Sequence, residues 1–130
     1  MSPQSWRALL LVALVPLGLA TKGYAGPGAD WVQGHLGGTA YVIFWIVLVG
    51  VWRPAARPLP VALAVALLTS GVEALQLVSV PALDAIRSTP VGRVLLGSTF
   101  SWWDFPYYGL GALLGGVALA VSRPRESEVA

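Results

Sequence analysis

The sequence of 130 residues contains no cysteine and only one histidine. The absence of cysteine excludes a disulfide framework, a thiolate metal site and a cysteine nucleophile. Charged residues are also scarce, at 11% of the chain, whereas a soluble domain usually has about 25%. Hydrophobic residues make up 56%. A chain with so few charges cannot cover a water-facing surface, and we therefore expect it to lie in lipid.

The sequence also lacks the residue patterns of several classes of function. The net charge is +2 and the basic residues are scattered, whereas nucleic-acid binding usually needs a basic stripe. One histidine with scattered acids gives no metal-ligand spacing, and we expect neither a metal nor a cofactor. No nucleophile elbow or glycine-rich phosphate loop is present. The catalytic residues are therefore unknown, and the sequence leans against an enzyme.

Four apolar stretches predict the fold. A helix that crosses the hydrocarbon layer needs about 20 residues. The expected transmembrane helices cover about 6–22, 33–52, 59–80 and 105–122, with a polar, interfacial segment over 84–104. We predict an all-α membrane protein, residues 1–130 forming one integral membrane domain with four transmembrane helices and a short interfacial helix between the third and fourth.

The first stretch allows two interpretations. Arg7 followed by an apolar run and Gly23-Tyr24-Ala25 resembles a signal peptide with a small-residue cleavage site. Lys22 and Tyr24 interrupt the usual small-residue exit, which favours a retained transmembrane helix. Pro16 removes a backbone donor from that helix, so we expect a bend there.

Basic residues predict the orientation, because Lys and Arg in short loops favour the cytoplasmic side. Five lie on the side of the two termini: Arg7, Arg53, Arg57, Arg123 and Arg125. Three lie on the opposite side: Lys22, Arg87 and Arg93. We therefore expect both termini in the cytoplasm and the interfacial segment outside.

The interfacial segment combines charges with aromatic rings, among them Tyr107 and Tyr108 at its border. Trp and Tyr gather where hydrocarbon meets headgroups. Thr89-Pro90 at one end and Gly97 at the other predict a short capped helix with one apolar face. Arg93 points away from that face, as expected for a helix that lies in the membrane interface.

Glu73 is the strongest single signal of a site. A carboxylate inside a spanning helix costs about 2.5–3.5 kcal/mol and usually faces a partner or a cavity. Thr69 and Gln76 lie on the same helix face. A helix that continues to Pro81 places Glu73 about 12 Å inside the outer end. The carboxylate is then either a structural hydrogen-bond or ion-pair partner, or a ligand contact.

Four more candidates fall at the outer face. His35 is a proton carrier or an interfacial residue that bonds a headgroup or a carbonyl. Asp104 precedes Phe105-Pro106, where its default role is to cap the helix. Arg87 is expected to hold a phosphate or to pair with Glu73, and Arg93 is its less favoured alternative.

These motifs resemble a family of small bacterial membrane proteins catalogued as domain of unknown function 2809. The resemblance covers about Pro16 to Gly116. It rests on Gly18-Leu19-Ala20-Thr21-Lys22, Gly26-Pro27-Gly28, Gly37-Gly38 before Tyr41, Glu73-Ala74-Leu75-Gln76-Leu77, Ile86-Arg87-Ser88-Thr89, Gly92-Arg93 and Trp103-Asp104-Phe105-Pro106-Tyr107-Tyr108. It favours retention of the first helix, since the glycine-rich loop belongs to the family pattern.

More distantly, the layout is similar to the VanZ-like group. The matching positions are His35, Glu73, Gln76, Arg87 and Asp104. This resemblance implies a cell-envelope protein of the bacterial cytoplasmic membrane, in some members linked to glycopeptide resistance, and no established enzymatic activity.

We therefore expect a membrane protein whose outward-facing polar pocket binds or senses a lipid headgroup or a cell-wall precursor. The expected partners are membrane lipids and a lipid-linked or cell-wall ligand, not nucleic acid, and a protein partner is unknown. Two alternatives stay open. One is a membrane-embedded enzyme that acts on a lipid-linked phosphate, and the other is a small accessory subunit whose pocket a partner helix fills.

Overall fold

The computed structural model describes residues 2–75, 77, 80–96 and 102–123, with the backbone alone for 94–96. This part of the chain is helical and contains no strand. Its helices are α1 (Pro3–Gly23), α2 (Ala29–Trp52), α3 (Pro58–Leu75), α4 (Pro81–Arg87), α5 (Pro90–Leu96) and α6 (Asp104–Val121). Four of them, α1, α2, α3 and α6, are long and apolar enough to cross a membrane. The predicted all-α fold is confirmed, and the chain is a multi-pass membrane protein.

The distribution of polar side chains supports a lipid environment. Large apolar side chains face outward, for example Leu67 and Leu68 of α3 at 73% and 72% exposure. The buried side chains, in contrast, include charged Arg7 and Glu73 at 1% and 2%. Continuous apolar surface of this kind is rare on a water-soluble monomer.

Helices α2 and α6 form the centre of the bundle, with α1 packed on α2 and α3 packed on α6. Glycine allows the close approach of the two central helices. A Cβ atom at Gly111 would lie 2.8 Å from the Thr39 carbonyl oxygen, and one at Gly115 would lie 2.8 Å from Ile46 Cδ1. The Gly-xxx-Gly pair of α6 therefore packs inside the bundle.

The end of α3 differs from the sequence expectation. The helix ends at Leu75, Leu77 lies in a turn, and Val80 is extended, with φ −128° and ψ 148°. Pro81 explains the extended residue, because a proline disfavours helical backbone in the residue before it. The expected helix to residue 80 is therefore too long. Glu73 lies two residues from the helix end, about 3 Å along the axis rather than 12 Å.

Between α3 and α6, the described residues 80–96 contain two short helices where one was predicted. α5 matches the expected helix, and its first turn is capped by Thr89, whose Oγ1 accepts the Gly92 N–H at 3.0 Å. The side chain of Arg93 is exposed, as predicted. α4 was missed, and it begins with Pro81 at a position where proline suits a first helical turn.

Helices α1 and α2 also differ in detail from the prediction. α1 is one helix that contains Pro16. α2 begins at Ala29, four residues before the predicted start, directly after Gly28 in a left-handed conformation with φ 72°. Residues Val32–Leu36 of α2 form a π-helical turn, which contains His35.

Candidate functional site

Side-chain contacts define the two ends of the bundle. At one end the start of α2, the end of α3 and the start of α6 meet through Trp31, Glu73 and Tyr107-Tyr108. We call this the site end. At the other end the start of α1 contacts the last residues of α2 and α6 through Arg7. We call this the Arg7 end.

Glu73 is held at the site end by a tyrosine. The hydroxyl of Tyr108 donates a hydrogen bond to Glu73 Oε2 at 2.6 Å. The Tyr108 ring lies against α2 at Gly38, where a Cβ atom would come within 3.0 Å of it. Because Gly38 has no side chain, one ring from α6 can lie against α2 while its hydroxyl reaches α3. Tyr108 therefore links all three helices.

His35 and Asp104 meet beside the Glu73–Tyr108 bond, a contact that the sequence analysis did not predict. His35 Nδ1 lies 3.4 Å from Asp104 Oδ1, and the two side chains are 23% and 15% exposed. The His35 ring stacks on Tyr107 at a centroid distance of 4.6 Å and an angle of 11°. Trp31 Nε1 donates to the Tyr107 hydroxyl at 2.7 Å. This more exposed part of the site is therefore built from one imidazole, one carboxylate and two aromatic rings.

Asp104 was expected mainly to cap its helix. It is the first residue of α6, where a negative charge suits the positive end of the helix dipole. The residue before the helix, Trp103, makes no side-chain capping bond. The contact with His35 gives the carboxylate a second role, which the sequence could suggest only through a shared membrane face.

The arginines differ in their placement. Arg87 Nη2 donates to the Leu75 carbonyl at 2.8 Å, and Nη1 lies 3.8 Å from Asp84 Oδ1. Its guanidinium therefore lies at the end of α3, next to Leu75, which follows Glu73 by two residues in the sequence. The predicted Glu73–Arg87 pair stays a prediction. Arg93 is exposed on α5, and Gln76 lies outside the described residues.

Sequence reasoning missed Arg7, which it counted only as a basic residue of the loops. The guanidinium donates to Ser122 Oγ and the Gly50 carbonyl, both at 2.8 Å, and to the Leu119 carbonyl at 3.1 Å. It also donates to Gln4 Oε1 and the Pro54 carbonyl. The signal that could have found it is a lone arginine one turn inside an apolar helix, a position that needs internal partners.

Aromatic residues indicate the depth of the site in the membrane. Trp31 and Trp52 lie near the two ends of α2 and are 48% and 79% exposed. A separation of 21 residues corresponds to about 32 Å, close to the hydrocarbon thickness of about 30 Å. His35 is one helical turn inside Trp31. The site end therefore fits the border between headgroups and hydrocarbon.

The comparisons identify the family. The family model described as "Protein of unknown function (DUF2809)" matches residues 28–112, more than half of the chain. The chain belongs to this family. The DUF2809 match contains every candidate site residue from His35 to Asp104, while Arg7 and Ser122 of the Arg7 end lie outside it. No curated protein and no solved structure matches the chain. The VanZ-like resemblance stays a prediction.

The side chains at the site end are hydrogen-bonding and ionisable groups. Among the described residues, no group of three or more His, Asp or Glu side chains is placed to hold a metal ion. The site end instead offers the Arg87 guanidinium, the His35 imidazole and carboxylate acceptors. Arginine suits phosphate through its planar pair of N–H groups, and histidine can supply or accept a proton.

Proposed function

We propose that this integral membrane protein binds the anionic headgroup of a lipid or of a lipid-linked cell-wall precursor at its site end. The observation that supports this most is the cluster of ionisable side chains at the site end, whereas the Arg7 end has, among the described residues, a single ionisable side chain that is bonded within the bundle. Glu73 with Tyr108, His35 with Asp104, and Arg87 all lie there. Polar groups inside a membrane protein are costly and are commonly kept for function.

Arg87 is the residue we propose to contact the phosphate. Its side chain is only 12% exposed and is held by the Leu75 carbonyl and Asp84. An arginine whose position is already fixed loses less side-chain entropy when it binds a ligand. A headgroup phosphate at the membrane surface would meet this guanidinium near the depth marked by the tryptophans.

We expect Arg87→Ala to lower the amount of anionic lipid that co-purifies in mild detergent by tenfold or more, because a charge-assisted contact to phosphate is lost. Native mass spectrometry and lipid analysis of the purified protein measure this amount. Arg53→Ala is the matched control, since Arg53 is exposed near the Arg7 end. The proposal fails if wild-type protein retains no lipid above bulk composition, or if both variants retain the same amount.

The proposed ligand also requires a particular orientation of the chain in the membrane. We propose that the chain lies in a bacterial cytoplasmic membrane with the site end outside and both termini in the cytoplasm, because the loop between α2 and α3 carries Arg53 and Arg57. The position matches an envelope role, for which a changed response to glycopeptides is the expected phenotype of overexpression.

The absence of native cysteine allows a direct test of the orientation. A cysteine at exposed Ser88, between α4 and α5, should react with a membrane-impermeant thiol reagent added to intact cells. A cysteine at exposed Ala55, between α2 and α3, should react only after the cells are opened. The reverse labelling pattern would move the site to the cytoplasmic side.

A further inference from the structure

The His35–Asp104 contact has the features of a titratable ligand contact. His35 is the one histidine of the chain, and there is no cysteine. Histidine is the side chain whose charge ordinarily changes between pH 5 and 8. A charge change of the binding site in that range should therefore come mainly from one known position.

The surroundings of His35 fix its ring while leaving part of it accessible. Tyr107 stacks on one face of the ring, and Asp104 approaches Nδ1 at 3.4 Å without the alignment of a hydrogen bond. The residue lies in the π-helical turn of α2, and such single turns inside α-helices are frequent at functional sites. The side chain remains 23% exposed.

We propose that protonated His35 binds a phosphate oxygen of the ligand, so that anionic headgroups bind more tightly as the pH falls. This inference rests on the proposed function and adds its regulation. An imidazolium has two N–H donors. In this proposal one ring nitrogen faces Asp104 and the other donates to the phosphate oxygen.

The charged groups around the π turn are consistent with this assignment. α6 contributes Asp104 and the Tyr107 phenol, and α1 contributes Lys22, whose Nζ donates to the Gln33 carbonyl at 3.3 Å. Asp30 of α2 is exposed. Of these groups, the carboxylates and the lysine ordinarily keep their charge between pH 5.5 and 8, which leaves the imidazole to change.

Titration with two lipids and with inorganic phosphate distinguishes a lipid site from a site for free phosphate. Purified protein is titrated at pH 5.5, 6.5 and 8.0 with short-chain phosphatidylglycerol, with short-chain phosphatidylcholine and with inorganic phosphate. We expect phosphatidylglycerol to bind about tenfold more tightly at pH 5.5 than at pH 8.0, with proton uptake on binding. Tighter binding of inorganic phosphate than of phosphatidylglycerol would indicate a free-phosphate site and would overturn the lipid assignment.

The variants distinguish a ligand contact from a structural residue. His35→Gln should make binding independent of pH, because a glutamine side chain gains no charge in this range. Lys22→Gln is the control and should keep the wild-type dependence of affinity on pH. If the affinity of His35→Gln changes with pH as in the wild type, or if the wild-type affinity does not change with pH, the inference is overturned while the proposed function stands. Failure of wild-type protein to bind any probe at any pH would instead count against the proposed function.

Discussion

Replacement of Arg7 by alanine should cost about 3 kcal/mol or more of the free energy of unfolding. The side chain is 1% exposed and joins three helices through bonds to Ser122, Gly50 and Leu119. Gly50 and Leu119 lie in the last turns of α2 and α6, where carbonyl groups lack partners within the helix. Each charge-assisted bond contributes about 1.5–3 kcal/mol, and its loss leaves an acceptor unsatisfied.

The electrostatics of the Arg7 end increase the expected loss of stability in Arg7→Ala. The carbonyl ends of two helices are the negative ends of their dipoles, and a guanidinium between them has a favourable field without a carboxylate. Arg7→Lys should lose less than Arg7→Ala, since an ammonium keeps the charge but has only three donors. Thermal or chemical unfolding in detergent, followed by tryptophan fluorescence, gives both values.

Arg53→Ala is the control for this measurement. Arg53 lies near the same end but is exposed over the Trp52 ring, at 5.7 Å from its centroid. We expect its loss to cost no more than about 0.5 kcal/mol. Equal and small losses in both variants would show that the Arg7 bonds contribute little.

The same contacts bear on the two interpretations of the first helix. Of the two interpretations of residues 6–25, the cleaved leader requires α1 to leave the bundle. α1 packs extensively on α2, and Arg7 reaches carbonyl groups 43 and 112 residues further along the chain. Retention of α1 stays a prediction, and cleavage would remove these contacts from the bundle.

The sequence predicted the helices well, because hydrophobic length and glycine-proline breaks are local properties. It failed at the end of α3, where Leu77 and Val80 continue the apolar pattern although Leu77 lies in a turn and Val80 is extended. Hydropathy cannot distinguish an apolar turn from an apolar helix. Pro81 was the available signal, since it disfavours helix in the residue before it.

The candidate site was predicted by topology rather than by pairing. Membrane sidedness was enough to place His35 and Asp104 on one face, and the structure brings them to 3.4 Å. Membrane sidedness could not assign contacts to Tyr107 and Tyr108, which the sequence indicated only as interfacial aromatic residues. Which of two adjacent tyrosines stacks on His35 and which bonds Glu73 depends on the rotation of α6 against α2. That rotation is set by glycine contacts such as Gly111 on Thr39.

Polar side chains concentrate at the two ends of the bundle, and an apolar layer separates them. Val42 and Ile46 of α2 and Val65 of α3 form that layer, at 0%, 0% and 9% exposure. The Arg7 end satisfies its donors with carbonyl oxygens and the Ser122 and Gln4 side chains. The site end keeps part-exposed ionisable groups. This difference supports the proposal that the site end binds a ligand while the Arg7 end holds the helices together.

The hydrogen bond between Tyr108 and Glu73 should be the strongest measurable coupling at the site end. At 2.6 Å, with Glu73 2% exposed, the phenol donates to an acceptor that water cannot easily replace. Tyr108→Phe should therefore cost about 1–3 kcal/mol of the free energy of unfolding. Tyr107→Phe is the control in the adjacent residue, because its hydroxyl accepts an exposed bond from Trp31 and should cost less than about 1 kcal/mol.

A double-mutant cycle isolates the bond itself. Glu73→Gln keeps the shape of the side chain, and the double variant with Tyr108→Phe should lose less than the sum of the single losses, by about 0.5–3 kcal/mol. The same cycle with Arg87→Gln in place of Tyr108→Phe tests the predicted Glu73–Arg87 pair. Additive losses in the tyrosine cycle would mean that Tyr108 stabilises the bundle by packing its ring against Gly38, and that Glu73 depends on other partners.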